Sequence, residues 1–152
     1  MFGQDQTNLQ TIEILGNFTK VGKCAFFGCY ALKEIKIPDS VTQIGNSAFY
    51  RCSSFTEIII PKGVTSLEDA AFCGCSKLKK IILPASVKCI GKYAFSYCES
   101  REIVEILGSL DEIGSRPFYK CSNLKVIKYP HGLRSCLVNK LSEGNDAKLE
   151  PY

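Results

Sequence analysis

A pattern of 23 residues recurs along most of the chain and constrains its fold more than any other feature. The pattern reads Leu-x-x-Ile-x-Ile-Pro-x-x-Val-x-x-Ile-Gly-x-x-Ala-Phe-x-x-Cys-x-x and recurs, with small changes, as in residues 78–98. A fixed period of roughly 20 to 50 residues predicts a solenoid, in which each repeat forms one coil that stacks on the next. The sequence therefore predicts a repeat solenoid.

Each part of the pattern has a physical interpretation. The Leu-x-x-Ile-x-Ile segment ends in alternation with period two, which is typical of a short strand with one buried face. Proline has no backbone N–H to donate, so it ends the strand. The glycine indicates either a positive φ or a close approach of two backbones. One coil cannot bury its own apolar face, so about three or more must stack for stability.

The copies define the domain organisation. Five copies and a partial sixth begin, in order, at Leu9, Leu32, Phe55, Leu78, Arg101 and Leu124. We therefore expect a single solenoid over residues 1–137. The polar, turn-rich residues 138–152 predict a loosely ordered tail. Neither end shows a polar capping unit, which would leave apolar surface and strand edges open to self-association.

The repeat resembles the BspA-like class of leucine-rich repeats, whose consensus has the same Leu-x-x-Ile-x-Ile-Pro opening and Ile-Gly-x-x-Ala-Phe-x-x-Cys close. The match covers residues 9–136. The resemblance implies a β-rich, right-handed superhelix, with a parallel strand ladder on the concave face and irregular or short helical turns on the convex side. It also implies a cell-surface or secreted protein used in adhesion and host-protein binding. Residues 1–10 show no leader pattern, so a cytoplasmic location is the alternative.

Composition and charge argue against two classes of partner. Hydrophobic residues make up 45% of the chain and charged residues 22%, which is typical of soluble globular proteins. No apolar run reaches the roughly 18 residues that a membrane span needs. The net charge of +4 is mild and both signs are interleaved, whereas nucleic-acid binders show a denser basic stripe. We expect neither membrane insertion nor a nucleic-acid partner.

Nothing in the sequence indicates catalysis, so we expect no enzyme activity and no cofactor. His131 is the only histidine and follows Pro130 at an ordinary loop position of the repeat. A turn residue is therefore a better interpretation than a general base. The glycines fall at repeat turns and form no phosphate-binding loop.

The nine cysteines are an odd number, and five of them recur every 23 residues. We interpret these five as reduced, buried thiols that fill a repeat slot. The close pair Cys73 and Cys75 leaves a structural zinc site as the alternative, although zinc sites usually combine two such pairs. We therefore expect no bound metal. Three cysteines outside this slot are expected to be exposed and reactive: Cys24, Cys73 and Cys89.

The outward positions of the predicted strands line up from coil to coil as a surface. Across four coils they carry an apolar stripe with a charged rim, which is typical of a protein-contact surface. The stripe consists of Ile59, Ile82, Ile103 and Val126, and the rim of Lys36, Glu57, Lys79, Lys80, Glu105 and Lys128. A general preference of β-branched residues for strands is the competing explanation.

The leading hypothesis from the sequence is a non-enzymatic protein–protein interaction module that uses its concave strand face. The alternative is a self-assembling structural segment of a longer repeat array, with a second copy of the chain as its partner.

Overall fold

The computed structural model describes residues 8–152 and confirms the solenoid. Every strand pair is parallel, and from coil 1 to coil 6 the paired residues lie 23 apart in sequence. We number the coils 1 to 6 from their starting residues at positions 9, 32, 55, 78, 101 and 124. The expectation for the N-terminal segment before residue 8 lies outside the described residues.

The regular elements are short. In chain order they are β1 Thr11–Glu13, β2 Lys20–Val21, β3 Glu34–Lys36, β4 Gln43–Ile44, β5 Ser66–Leu67, β6 Lys80–Leu83, β7 Cys89–Ile90, β8 Ile103–Ile106, β9 Glu112–Ile113, β10 Val126–Tyr129, α1 Ser135–Leu141 and β11 Lys148–Pro151.

The concave side of the solenoid carries the strands of the Leu-x-x-Ile-x-Ile segment. β1 pairs with β3, while β6, β8, β10 and β11 form a four-stranded sheet. Coil 3 lies between these two groups and, within the described chain, forms no named strand here. An isolated bridge joins its Glu57 to Lys80 of coil 4. The concave ladder is therefore interrupted between β3 and β6.

A second side holds coil 3 in place. Here β2, β4, β5, β7 and β9 form an uninterrupted five-stranded sheet. Each strand contributes one buried apolar residue: Val21, Ile44, Leu67, Ile90 and Ile113. Because this ladder runs through coil 3, that coil keeps its register although its concave segment is largely unpaired.

The third side, which we name the turn side, consists of the Ala-Phe-x-x-Cys turns. Its N–H groups donate forward to the next coil, as from Phe49 to the carbonyl of Ala71 and from Arg51 to that of Cys73, both at 2.8 Å. Two slots in each of coils 1 to 5 adopt a positive φ. Their occupants are Cys24, Gly28, Ser47, Arg51, Ala70, Gly74, Tyr93, Tyr97, Arg116 and Lys120. This backbone aims alternate N–H groups along the solenoid axis.

Beneath the turn side, identical residues stack from coil to coil. Phe72 lies between Phe49 and Phe95, with ring centroids at 5.1 and 5.3 Å and nearly parallel planes. The ladder cysteines also bond between coils, since the thiol of Cys52 donates to the carbonyl oxygen of Phe26 at 3.1 Å. The same bond recurs at Cys75, Cys98 and Cys121. The cysteine slot therefore needs a small apolar donor as well as a small volume.

The repeat glycine serves a close approach of backbones and not a positive φ. A Cβ at Gly45 would lie 2.7 Å from the carbonyl oxygen of Val21, and one at Gly114 would lie 2.4 Å from the nitrogen of Lys92. Neither glycine has a positive φ. Of the two explanations that the sequence left open, the structure supports the second.

The C-terminal residues differ from the expected loose tail over residues 138–152. Helix α1 packs against β9, with Leu137 and Leu141 buried, and β11 adds a parallel strand to β10. The pairing places Ile127 opposite Leu149, a spacing of 22 residues instead of 23. This unit covers the last coil, so the expectation of an uncapped C-terminal end is wrong.

Candidate functional site

Ile59 stands at the interruption of the concave ladder. Its side chain is 76% exposed, because it alternates outward between the buried Ile58 and Ile60. Within residues 8–152, Ile59 and Ile60 make no backbone hydrogen bond to either neighbouring coil. A large β-branched side chain is thus presented to solvent on a segment that is not locked into a sheet.

Two cavities flank this segment. One, of about 610 Å³, lies between β3 and residues 56–59 and includes Lys36 and Glu57 in its lining. The other, of about 420 Å³, lies towards coil 4 and reaches Ile82, Pro84 and Leu107. Concavities of this size accommodate side chains of a partner. Ile59 lines both, so it forms the ridge between them.

The rest of the predicted apolar stripe is less exposed. Ile82 is 39% exposed, and Ile103 and Val126 are half-buried. The register places Val126 beside Ile103 and Ile103 beside Lys80, with Ile82 two residues further along β6. The four residues therefore form two pairs offset by two strand positions, Val126 with Ile103 and Ile82 with Ile59, and the exposed apolar area is concentrated at the coil 3 end.

The charged rim is organised into ion pairs between neighbouring coils. Lys36 contacts Glu13 at 2.8 Å and Lys80 contacts Glu105 at 3.6 Å. The hydrogen bond that the Lys36 ammonium donates to the Glu13 carboxylate raises the pKa of Lys36. Such exposed pairs contribute little to stability. They do fix the directions of the charged side chains around the stripe. The other predicted rim residues, Glu57, Lys79 and Lys128, have no ion-pair partner within the described chain.

Sequence reasoning missed the residues that shape the second cavity. Leu107 is 48% exposed and occupies the slot that holds Pro84 in coil 4. Both line the cavity beside Ile59, together with Lys62. The available signal was the replacement of the repeat proline by leucine in coil 5, which leaves a large apolar side chain at the exit of a concave strand.

A model of the BspA type leucine rich repeat region matches residues 2–125 with six copies of the repeat. The chain belongs to this family. The family assignment agrees with the stacked coils and with the buried repeat slots described above. Among curated proteins, none matches the chain.

Solved structures of leucine-rich repeat proteins share the fold. One from Bacteroides ovatus is 35% identical with a TM-score of 0.73, covering 83% of this chain and 33% of that protein. The T. pallidum Leucine Rich Repeat protein is 29% identical with a TM-score of 0.75, covering 93% of this chain and 72% of that one. This chain thus spans about a third of the length of the Bacteroides protein.

A more distant likeness extends to a leucine rich cell surface protein of Faecalibacterium prausnitzii. It is 24% identical with a TM-score of 0.55, and the match covers 84% of this chain and 51% of that protein. At this identity the likeness concerns the fold alone.

The cysteines of this leucine-rich repeat protein are mostly shielded. Burial raises the pKa of Cys52 and of Cys121 to about 12. Cys73, expected to be exposed, is buried in the structure and burial raises its pKa to about 11. Cys24 and Cys89 are half-buried, and Cys136 is exposed. Residues 8–152 contain no cluster of three or more His, Cys, Asp or Glu side chains that could hold a metal ion.

The remaining candidates for chemistry are unremarkable in this leucine-rich repeat fold. His131 is exposed, and its backbone N–H donates to the carbonyl oxygen of Tyr152 at 3.0 Å, as expected of a turn residue. In the described part of the chain, no helix is long and apolar enough to cross a membrane.

Proposed function

We propose that this chain is a non-enzymatic module that binds a partner protein through its concave side, centred on Ile59. The observation that carries the proposal is the exposed Ile59 ridge between two cavities, at coil 3, where the concave ladder of residues 8–152 is interrupted. An exposed apolar patch with a polar rim is a feature of many protein-contact sites. Membership of a repeat family whose fold offers a long ordered surface supports the same function.

The site suggests what the partner presents. Two apolar side chains, one on each side of Ile59, would fill the two cavities, and acidic groups would meet the free ammonium groups of Lys79 and Lys128. We expect the apolar contacts to dominate affinity and the lysines to affect the association rate. By family resemblance, the partner would be met at the cell surface or after secretion, in an adhesive role.

The test is capture of partner proteins from extracts by the purified chain, compared with the double variant Ile59→Lys and Ile82→Lys. We expect the double variant to lose capture, because two charges would enter the apolar centre of the contact. Leu15→Lys is the matched control, since Leu15 is 74% exposed and lines neither cavity. If the double variant captures the same proteins as the wild type, the concave site is wrong.

A second candidate function is a structural segment within a longer array. The observation that favours it is that the match with this chain covers only 33% of the Bacteroides relative. Light scattering coupled to size-exclusion chromatography tests self-assembly directly. A monomer at high concentration would count against it and would leave the binding proposal untouched.

A further inference from the structure

Strand β3 has one paired edge and one free edge. On the paired edge, the N–H of Glu34 donates to the carbonyl oxygen of Gln10 in coil 1 at 3.1 Å. The backbone groups of successive strand residues point to opposite edges, so those of Ile35 and Ile37 face coil 3. Within residues 8–152, neither residue makes a backbone hydrogen bond to coil 3. Main-chain donors and acceptors are therefore unpaired along this edge.

The concave cavity of about 610 Å³ adjoins this free edge. It lies between residues 33–39 and 56–61, and both Ile35 and Ile37 line it. We name this space the β3 cleft. One residue of a sheet occupies about 3.3 Å along the strand, about 4.8 Å across it and about 10 Å in depth, or roughly 160 Å³. The β3 cleft thus has the volume of about four residues of an extended chain.

Coils 2 and 3 keep their ordinary spacing on the other two sides. On the turn side, the rings of Phe49 and Phe72 stack with their centroids 5.1 Å apart. On the second side, the N–H of Thr65 donates to the carbonyl oxygen of Thr42 at 2.8 Å. The separation is therefore confined to the concave segments. The opposite wall of the β3 cleft is also unpaired, since Ile59 makes no backbone hydrogen bond to coil 2 within the described chain.

The lining of the β3 cleft carries excess negative charge. Its carboxylates belong to Glu34, Asp39 and Glu57. None of the three forms an ion pair within the described part of the chain. The two lysines of the lining are engaged, because Lys36 pairs with Glu13 at 2.8 Å and Lys33 donates to the side-chain oxygen of Gln10 at 3.0 Å. The β3 cleft therefore favours a cationic ligand.

Two of these carboxylates occupy the same repeat slot. Glu34 and Glu57 both precede the first isoleucine of their coils, and both are exposed. Like charges in directly opposed strand positions repel each other. An ammonium or guanidinium group between them would remove this repulsion and donate charge-assisted hydrogen bonds to both. Anionic ligands such as nucleic acids would be repelled.

We propose that the β3 cleft binds an extended, basic segment of the partner protein, which adds to β3 as a further strand. Hydrogen bonds to the main chain of Ile35 and Ile37 would provide affinity, and a lysine or arginine between Glu34 and Glu57 would provide specificity. Residues two apart share one face of a strand, so an apolar side chain beside the basic one would meet Ile59. The inference rests on the proposed function and names the chemistry of its partner.

Amide hydrogen exchange of the purified chain, measured by NMR, tests the free edge. We expect the amides of Ile35 and Ile37 to exchange at least about tenfold faster than that of Ile81. Ile81 is the matched control, because it occupies the same slot as Ile35 and pairs with Val104 in the closed part of the ladder. Equal protection of Ile35 and Ile81 would show that the edge is not free and would overturn the proposal.

NMR titration with the capped peptide acetyl-Thr-Val-Lys-Val-Thr-amide tests binding. We expect a dissociation constant of about 1 mM or lower, and exchange at Ile35 should slow at least about tenfold at saturation. The same peptide with glutamate in place of lysine should bind at least about tenfold more weakly. The double variant Glu34→Gln and Glu57→Gln should show a similar loss for the lysine peptide. Glu99→Gln is the matched control, since Glu99 is exposed on the turn side, and it should bind as the wild type does.

Three results would overturn the inference. They are the absence of binding at about 5 mM peptide, binding that leaves exchange at Ile35 unchanged, and a dimer of this chain that protects the Ile35 amide without peptide. Capture from extracts reports separately on the proposed function. Capture that is lost in the Ile59→Lys and Ile82→Lys double variant, without any peptide binding, would leave the concave site standing and this inference wrong.

Discussion

The guanidinium carbon of Arg101 lies 4.8 Å from the centre of the Phe95 ring, and the arginine side chain is wholly buried. None of its three nitrogen atoms has a hydrogen-bond partner within the described chain. Arg101 occupies the slot that Leu78 and Leu124 fill in the neighbouring coils. Attraction to the ring contributes about 2 kcal/mol when desolvated, which is less than the cost of burying an unpaired cation.

We therefore expect Arg101→Leu to raise the free energy of unfolding by about 1 to 4 kcal/mol. The leucine restores the repeat and removes the unpaired charge. Urea unfolding at neutral pH measures the change, with Arg101→Lys as the variant that keeps the charge and loses the flat guanidinium. A less stable Arg101→Leu protein would mean that the arginine has a partner or a role that its contacts do not reveal.

The buried thiols predict a loss of stability in alkali. The folded pKa is about 12 for Cys52 and for Cys121, against 9.0 for the free thiol. Below about pH 9 each thiol is protonated in both the folded and the unfolded state, so its titration does not reduce the stability. Above it the unfolded thiol ionises while the folded one does not, so stability falls by about 1.4 kcal/mol per pH unit for each thiol until the folded pKa is passed.

Urea unfolding between pH 8 and about pH 10.5 measures how steeply the unfolding free energy falls with pH. The expected fall is about 1.4 kcal/mol per pH unit for each buried thiol. Cys52→Ala should reduce this slope by the contribution of one thiol, about 1.4 kcal/mol per pH unit. This reduction is expected even if the substitution changes the stability at pH 8. Cys136→Ala should leave the slope unchanged, since Cys136 is exposed. Identical slopes in all three proteins would contradict the linkage.

Two glycines of the same repeat slot should respond oppositely to alanine. A Cβ at Gly114 would meet the backbone of coil 4 at 2.4 Å, whereas one at Gly22 has nothing within 4 Å. We expect Gly114→Ala to cost about 1 to 3 kcal/mol through overpacking. Gly22→Ala should be neutral or stabilising by up to about 1 kcal/mol, because alanine restricts the unfolded chain. Thermal unfolding of the two variants gives the comparison, and equal shifts would refute close approach as the reason for this slot.

Glu68, which replaces the repeat glycine in coil 3, should make stability sensitive to acid. A hydrogen bond from Lys20 at 2.7 Å, and another from the N–H of Asn46, hold its pKa below the ordinary 4.5. A depressed folded pKa stabilises above about pH 4.5, and the contribution disappears as pH falls through the folded value. Since the carboxylate is about one-third exposed, we expect less than about 1 kcal/mol.

The measurement compares Glu68→Gln with the wild type from pH 7 to pH 3 in urea. The difference in unfolding free energy should shrink as the pH falls and should also shrink in about 1 M salt, where charges are screened. A constant difference across pH would show that the carboxylate charge contributes nothing.

Much of this fold could be predicted because one physical requirement repeats. Buried slots such as those of Val64, Phe72 and Cys75 follow from the need of each coil to cover the next. The interruption at Ile59 could not be predicted, since residues 55–61 fit the strand pattern as well as those of other coils.

The missed C-terminal unit has a different cause. Leu149 lies opposite Ile127 after 22 residues, so it falls out of a 23-residue alignment. The positive-φ slots on the turn side were hidden for another reason. Side chains as large as Tyr93 and Tyr97 occupy them, and the energy of the inter-coil hydrogen bonds offsets their backbone strain.

The N–H groups of the turn side, which point towards the next coil, give this side of the solenoid a dipole along its axis. Peptide dipoles that align along the axis leave partial positive charge where the last donors are unmet, and alternating backbone conformations of this kind form anion-binding concavities. Glu143 occupies that position, since its carboxylate accepts from the N–H of Arg116 at 2.7 Å, and the carbonyl of Gly144 accepts from Lys120. The residues that follow helix α1 thus accept hydrogen bonds from the last donors of this stack, as an N-cap residue does for a helix. Any further coil at this end would first have to displace an anion.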